Sequence, residues 1–450
     1  MRTNFGKLNY KLITTSLRMP VFTLIREFER AERMSKDELI AYQWRKLQRL
    51  IKHAVSFSPY YRELFSKIGA EPEDIKDTAS FKQIPVLTKK IIRARGEDIL
   101  ATPHPRFLNE AKTSGSTGQP LKIFKDPVGR ASTYAAMYRG HMWHGVDVGA
   151  KEARLWNVPG ERLNRGKTKI KDIALNRFRQ NNSQANVRTF AAFYQKMKRF
   201  HPEYLMGYPS LIYQFARYLA KVGGVARTLK LLFVKCTAEV IYDYQKELIE
   251  EVFGCPCISE YGSTESGIIS FECPARKQHL MTYSVFVEFI ENDFPVHNAA
   301  KKIITTNLHN MSFPIIRYDI GDFGCPEDGI CDCGRPLPMI KHILGRTHDI
   351  IIGANGERFH SSILSDSLKE LIAGDFPLKE IRFVQKERGK IQINLIESDG
   401  LLSEHIELTR ETIQELFKGY IKVEIEKISE MPRDPSGKFG YFISHLNNNE

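Results

Sequence analysis

PSLIYQFARYLAKV (Pro209–Val222), LKLLFV (Leu229–Val234), KCTAE (Lys235–Glu239) and CPCISEYGSTE (Cys255–Glu265) follow one another within a single stretch, and their order decides the fold. The first places apolar residues at helical spacing, whereas LKLLFV and CPCIS are apolar runs of strand length. The same alternation continues between residues 105 and 340, where LKIFK, SVFVEFI and AKKIITTN read as further strands. Strands alternating with helices predict an α/β architecture in layers.

From about residue 347 the pattern changes to DIIIG, a helix near SSILSDSLKELIA, the hairpin IRFVQKERGKIQINLIE, the helix HIELTRETIQELFKG and the strand IKVEIEKI. This predicts a small α+β domain. The expected division is a large layered domain over residues 1–345, with a helical leader over 1–100, and a second domain over 346–450. Two domains also suit 450 residues, more than a single core usually serves. Within the leader, Ser35 and Glu38 form a capping box that opens a helix through LIAYQWRKLQRLIKHAV.

Small polar motifs punctuate this frame, each a poor core or helix former. Thr113, Ser114, Gly115, Ser116, Thr117 and Gly118 make a loop whose amides and hydroxyls can converge on phosphate oxygens. It lacks the Gly-Lys-Ser/Thr ending of a Walker loop, which disfavours that NTPase class. Tyr261, Gly262, Ser263, Thr264 and Glu265 offer a face for a base, hydroxyls for a phosphate and a carboxylate for Mg²⁺. Asp322, at the end of the strand-like FPIIRYDI, suits the two hydroxyls of a ribose. Arg346 sits at a turn before DIIIG, and Lys438 ends the Pro/Gly/Ser loop PSGK.

In this order the motifs resemble the adenylate-forming superfamily of acyl-CoA synthetases, luciferases and adenylation domains. Within it the likeness is greatest to the phenylacetate-CoA ligase branch and its capsular-polysaccharide relatives, and it extends to LQRLIKHAVSFSPYYRELF and IPVLTKKII. The resemblance implies that the Thr113–Gly118 loop holds the ATP β- and γ-phosphates and that Tyr261 packs on adenine beside Ala238 and Glu239. It further implies Thr264 on the α-phosphate, Glu265 on Mg²⁺, Asp322 on the ribose, Arg346 on ribose or phosphate, and Lys438 on the carboxylate and α-phosphate. A fixed cation there answers a chemical need, because one anion must attack another. At the position where the family's hinge is commonly Asp or Lys, this chain has His348, followed by Asp349.

The seven cysteines, an odd number, argue against a disulfide framework and leave free thiols or a metal. Cys273 and His279 stand close together, as do Cys331 and Cys333, and three thiolates with an imidazole make a closed tetrahedral Zn²⁺ set. Cys325 and the pair Cys255/Cys257 compete as ligands. The resemblance favours zinc, since some members of the branch carry such a structural site, and it is expected to pin loops beside the ATP site.

A net charge of +13 suits polyanions such as ATP and CoA. No nucleic-acid motif with interleaved aromatics is visible. Residues 8–25 contain Lys11, Arg18 and Pro20, so no run spans a bilayer; an arm packed on the large domain is expected, with peripheral membrane contact as the alternative and a cytoplasmic location by default. His141 and His144 read as ordinary residues, either on the surface or supporting others from behind. The resemblance implies an acyl pocket near Tyr208, Pro209, Lys235–Ala238 and the loop around Tyr261. The activity implied is an AMP-forming ligation of a small carboxylic acid, with CoA as acceptor; a sugar or glycan precursor is the alternative acceptor, and a catalytically silent nucleotide-binding protein the alternative of another class.

Overall fold

A computed structural model describes residues 5–101, 107–112, 121–156, 161–180, 186–223, 226–291, 300–346, 350–361, 363–364, 378–397, 403–417, 419–433 and 439–446. Its centre is an eleven-stranded sheet. In spatial order the strands are Val285–Ile290, Lys301–Asn307, Tyr318–Glu327, Met339–Arg346, Gln278–Leu280, Gly267–Glu272, Cys257–Ser263, Phe233–Thr237, Tyr204–Gly207, Glu152–Leu155 and Arg177–Gln180. The last five of these run parallel to one another. From Cys257–Ser263 back to Val285–Ile290 the pairing is antiparallel.

Parallel strands are covered on both faces, which is why their sequences read as unbroken apolar runs. Every residue of Phe233–Thr237 is buried. Alternate side chains enter different cores. Phe233, Tyr204 and Ile258 pack with the helix Pro127–Trp143, while Val234, Leu205 and Cys257 pack with the helices Val187–Phe200 and Pro209–Lys221.

The leader folds as the capping box predicts. Ser35 Oγ accepts the Glu38 amide, and Glu38 returns the bond at 2.7 Å to open the helix Lys36–Phe57. Ahead of it, the helix Val21–Ala31 lies on Pro127–Trp143, with Phe28 stacked on Tyr283 at 4.4 Å and Glu32 paired to Arg139 at 2.6 Å. The N-terminal arm thus packs on the large domain, although Phe5, Leu8 and Leu12 of the helix Phe5–Ser16 stay exposed. No helix among the described residues is long and apolar enough to cross a membrane.

The smaller unit is a four-stranded mixed sheet in the order Lys422–Lys427, Lys390–Glu397, Leu378–Glu387, Phe442–Ser444. Ile381, Phe383, Ile393, Ile413 and Phe417 form its core against the helix Ser403–Leu416. Most of SSILSDSLKELIA lies outside the described residues. The unit docks on the large domain beside the Phe233–Thr237 strand end. Gln245 Nε2 donates to the Tyr441 hydroxyl at 2.6 Å, and the Tyr441 ring meets Tyr242 edge-on at 5.1 Å.

Candidate functional site

Ligands of open α/β sheets bind beyond the carboxyl ends of the strands, and the described members of the predicted set, Ala238, Glu239, Tyr261–Glu265 and Asp322, gather there. The strand Cys257–Ser263 turns through Thr264, Glu265 and Ser266 into Gly267–Glu272. Gly262 is required by close approach, because a Cβ there would stand 2.4 Å from the Gly267 carbonyl oxygen. Ser266 Oγ is 2.7 Å from Thr305 Oγ1, and Asn307 Nδ2 donates to the Ser266 carbonyl at 3.0 Å, fixing the turn to the strand Lys301–Asn307.

The Tyr261 hydroxyl donates to Asp322 Oδ2 at 2.7 Å, bringing together two motifs 61 residues apart. Asp322 does not end a strand as expected: FPII is irregular, and the strand begins at Tyr318 and runs to Glu327. Gly321, at φ +81°, and a register shift after Asp322 mark the irregular point in the ladder. Asp322 is the cross-strand partner of Arg346, the last residue of Met339–Arg346.

Glu265 is buried, and its Oε1 accepts the Tyr318 hydroxyl at 2.8 Å. Burial, with the Glu265 charge second, raises the Tyr318 pKa, so this phenol remains a donor. Lys125 lies on the same side, at the end of the strand Lys122–Lys125, with Nζ 3.4 Å from Thr133 Oγ1. Burial pushes its ammonium down to about 8, while Glu265 acts in the opposite sense. Neither Lys125 nor Tyr318 was singled out from sequence; a lysine directly after an apolar Ile-Phe step carries no motif.

Ala238, at φ +72°, turns the chain out of Phe233–Thr237. The carboxylate of Glu239 is engaged by protein. It accepts the Ser210 amide at 3.1 Å and the Phe439 amide at 2.7 Å. Arg433 donates to Ser210 Oγ at 2.8 Å. Residues on both sides of the PSGK loop are therefore anchored to the large domain at one place. The loop itself, with Lys438, lies outside the described residues, as do Thr113–Gly118 and His348.

Cys273, His279, Cys331 and Cys333 converge, with their ligand atoms all within 4.8 Å of one another. The Cys273 and Cys331 sulfurs are 3.6 Å apart, and Cys333 Sγ is 3.2 Å from His279 Nε2. A tetrahedron of Zn–S bonds has edges of about 3.8 Å, so the donor set fits that ion. His279 Nδ1 is 2.9 Å from the Leu337 carbonyl, which fixes the ring with Nε2 toward the sulfurs. The competing cysteines lie elsewhere: Cys257 contacts Cys236 at 3.6 Å, and Cys325 packs with Ala300 and Phe323.

The expected position of this cluster needs correction. Cys273 follows directly on Gly267–Glu272, a six-residue strand whose other end carries the Glu265 turn. At about 3.3 Å per residue the cluster lies about 20 Å from that turn, at the opposite end of the strand. His141 is not a surface residue either: it is wholly buried among Tyr138, Tyr204, Phe233 and Phe271. His144 is partly buried, with Nε2 2.8 Å from the Glu272 carbonyl. Trp156 stacks on Tyr208 at 4.2 Å.

Residues 351–445 match the family model described as the CapK C-terminal domain. Along the whole chain, Protein CapK of Staphylococcus aureus is 23% identical over 427 residues, covering 93% of this chain and 92% of that protein. The phenylacetate-coenzyme A ligase of Escherichia coli K12 is 33% identical over 406 residues, covering 83% and 86%. The solved 2-hydroxyisobutyryl-CoA ligase in its postadenylation state superposes with a TM-score of 0.73 at 18% identity, covering 92% of this chain and 91% of that one. That likeness extends the common fold over both units, and the sequence identity to the E. coli enzyme places this chain in the phenylacetate-CoA ligase/CapK family of the adenylate-forming superfamily.

Proposed function

We propose that the protein is an ATP-dependent, AMP-forming carboxylate ligase that passes the acyl group to CoA. The observation that carries this reading is the convergence of Tyr261, Asp322 and Glu265 at the carboxyl end of the sheet, through the bonds Tyr261–Asp322 and Tyr318–Glu265. Tyr261 supplies an aromatic face for the base, and Asp322 has acceptor capacity for a ribose. Thr113–Gly118 cradles the terminal phosphates, Thr264 meets the α-phosphate, and Arg346 reaches the ribose or phosphate.

In the first half-reaction a carboxylate oxygen bonds to the α-phosphorus, the bond to the β-phosphate oxygen breaks, and pyrophosphate leaves. Lys438 neutralises the charge developing between the two anions. Glu265 would hold Mg²⁺, which when bound offsets charge on the phosphate oxygens. In the second half-reaction the CoA sulfur gives up its proton to solvent and bonds to the acyl carbon, the acyl–phosphate C–O bond breaks, and AMP leaves. Cys273, His279, Cys331 and Cys333 would hold structural Zn²⁺; with four protein ligands it has no open position and takes no part in either step.

One alternative acceptor, an amine or hydroxyl of a sugar or glycan precursor, rests on the resemblance to capsular-polysaccharide relatives. AMP release measured with acid and ATP, with and without CoA, separates the two. Strong stimulation by CoA supports the thioester ligase. Indifference to CoA, with stimulation by a sugar acceptor, supports the other.

A further inference from the structure

The helix Phe5–Ser16 carries its largest apolar side chains on the face turned away from the protein. Its buried residues, Gly6, Tyr10 and Thr14, share one side, whereas Phe5, Leu8 and Leu12 are 73%, 49% and 62% exposed. At about 100° per residue these three fall within an arc of about 60°, opposite the buried side. Close approach holds the helix in this orientation. A Cβ on Gly6 would stand 2.1 Å from the Gly149 carbonyl oxygen, the Tyr10 ring meets Tyr138 edge-on at 5.1 Å, and Lys7 pairs with Asp147 at 2.5 Å. Beyond the helix end Leu17, Arg18 and Phe107 are also exposed, with the Arg18 guanidinium 4.4 Å from the centre of the Phe107 ring.

The helix Glu161–Ala174 lies alongside and repeats the pattern. Asn176, just past its end, donates to the Gly149 carbonyl at 2.9 Å, the same carbonyl that abuts Gly6. Ile170 and Ile173, one turn apart, are 70% and 67% exposed, and Lys169 and Lys171 are exposed beside them. Acidic charge is withdrawn from both helices. Residues 5–18 include Lys7, Lys11 and Arg18 and no Asp or Glu. Asp172 is buried and held at 2.6 Å by both Arg177 and Arg179, so it does not oppose the lysines at the surface.

Single exposed apolar residues are ordinary, whereas an aligned stripe of them flanked by lysines is the pattern of an interfacial helix. A second copy of this chain does not suit the face, because a two-fold contact would set its lysines against one another. We propose that the face formed by the helices Phe5–Ser16 and Glu161–Ala174 docks on the surface of an anionic phospholipid bilayer without crossing it. Phe5, Leu8, Leu12, Ile170 and Ile173 enter the boundary between headgroups and acyl chains, and Lys11, Lys169 and Lys171 meet the anionic headgroups.

The test is cosedimentation of the whole chain with vesicles of equimolar phosphatidylglycerol and phosphatidylcholine, and with vesicles of phosphatidylcholine alone. Binding to the anionic vesicles is expected to be at least about 10-fold the tighter and to weaken as salt rises. Leu8→Gln/Leu12→Gln and Lys169→Glu/Lys171→Glu should each weaken it about 10-fold or more, with the thermal midpoint of wild type. Lys386→Glu/Lys422→Glu, the same change of charge at exposed positions of the smaller unit, should leave it within about twofold. Wild type that does not bind the anionic vesicles overturns the inference, as does equal weakening by the control pair, which would reduce the effect to net charge. Wild type that self-associates and becomes monomeric in Leu8→Gln/Leu12→Gln, without binding vesicles, overturns it in favour of a second copy. The apolar and the charge variants are independent, so either one decides the matter where the other does not fold.

Discussion

The strand Gly267–Glu272 has unlike chemistry at its two ends. At the Glu265 turn, side chains reach across motifs yet keep capacity for a ligand: Tyr261 on Asp322, Tyr318 on Glu265, Lys125 nearby. At the Cys273 end, three sulfurs and an imidazole face one another, and Lys246 and Arg276 pair with Glu272 and Glu250. Under the proposed function one end receives a polyanion and releases a product, and the other closes. Substitutions at the two ends are accordingly expected to separate activity from stability.

The sharpest separation comes from Lys438→Ala. Exchange should fall about 1,000-fold, while thermal stability and metal content stay at wild-type levels. The converse variant, Cys331→Ser/Cys333→Ser, should lose its metal and destabilise the fold by about 3 kcal/mol or more, read as a lower denaturant midpoint beside elemental analysis. Wild-type protein purified without chelator that is stable and free of zinc would remove the closed end from the account.

Glu239→Gln tests whether the anchored PSGK segment matters to one half-reaction. Acid-dependent exchange should drop about 10- to 100-fold, whereas CoA-dependent release of AMP from preformed acyl-adenylate should hardly change, because the Glu239 contact with Phe439 belongs to the docked arrangement. Equal losses in both would mean a general structural role.

Stability against pH probes the core under the N-terminal helices, remote from both ends in role. Burial, followed by the Lys46 charge, holds His309 down to about 4. The unfolded chain takes up that proton near pH 6.5 and the folded protein does not. Stability from this group is therefore full above about pH 6.5 and falls by about 1.4 kcal/mol per pH unit toward pH 4. His309→Gln should flatten that slope. The smallest effect is expected for Tyr261→Phe, which removes the bond to Asp322 and should raise the apparent KM for ATP about 3- to 10-fold.

Much of this arrangement is legible in the chain because local physics suffices for it. Ser35 and Glu38 announce a helix start, the parallel strands declare themselves by unbroken apolar runs, and Cys/His spacing names a metal set. What escaped was distance. Glu265 and Cys273 are eight positions apart, and the sequence reads them as neighbours; an extended strand between them carries them to opposite ends of the sheet. The partners of the site escaped for the inverse reason. Tyr318 and Glu265 are far apart in sequence and meet only once the strand order exists. The contact of Glu239 with the Phe439 amide escaped in the same way, because it joins the two units across 200 positions.

Acid-dependent ATP–pyrophosphate exchange, run side by side on wild-type protein and Lys438→Ala with folding checked for both, tests the central claim most directly. The account predicts exchange that appears only with a suitable acid and collapses in the variant. Folded, ATP-binding wild type that exchanges with no acid, or a variant that exchanges as well as wild type, would contradict it.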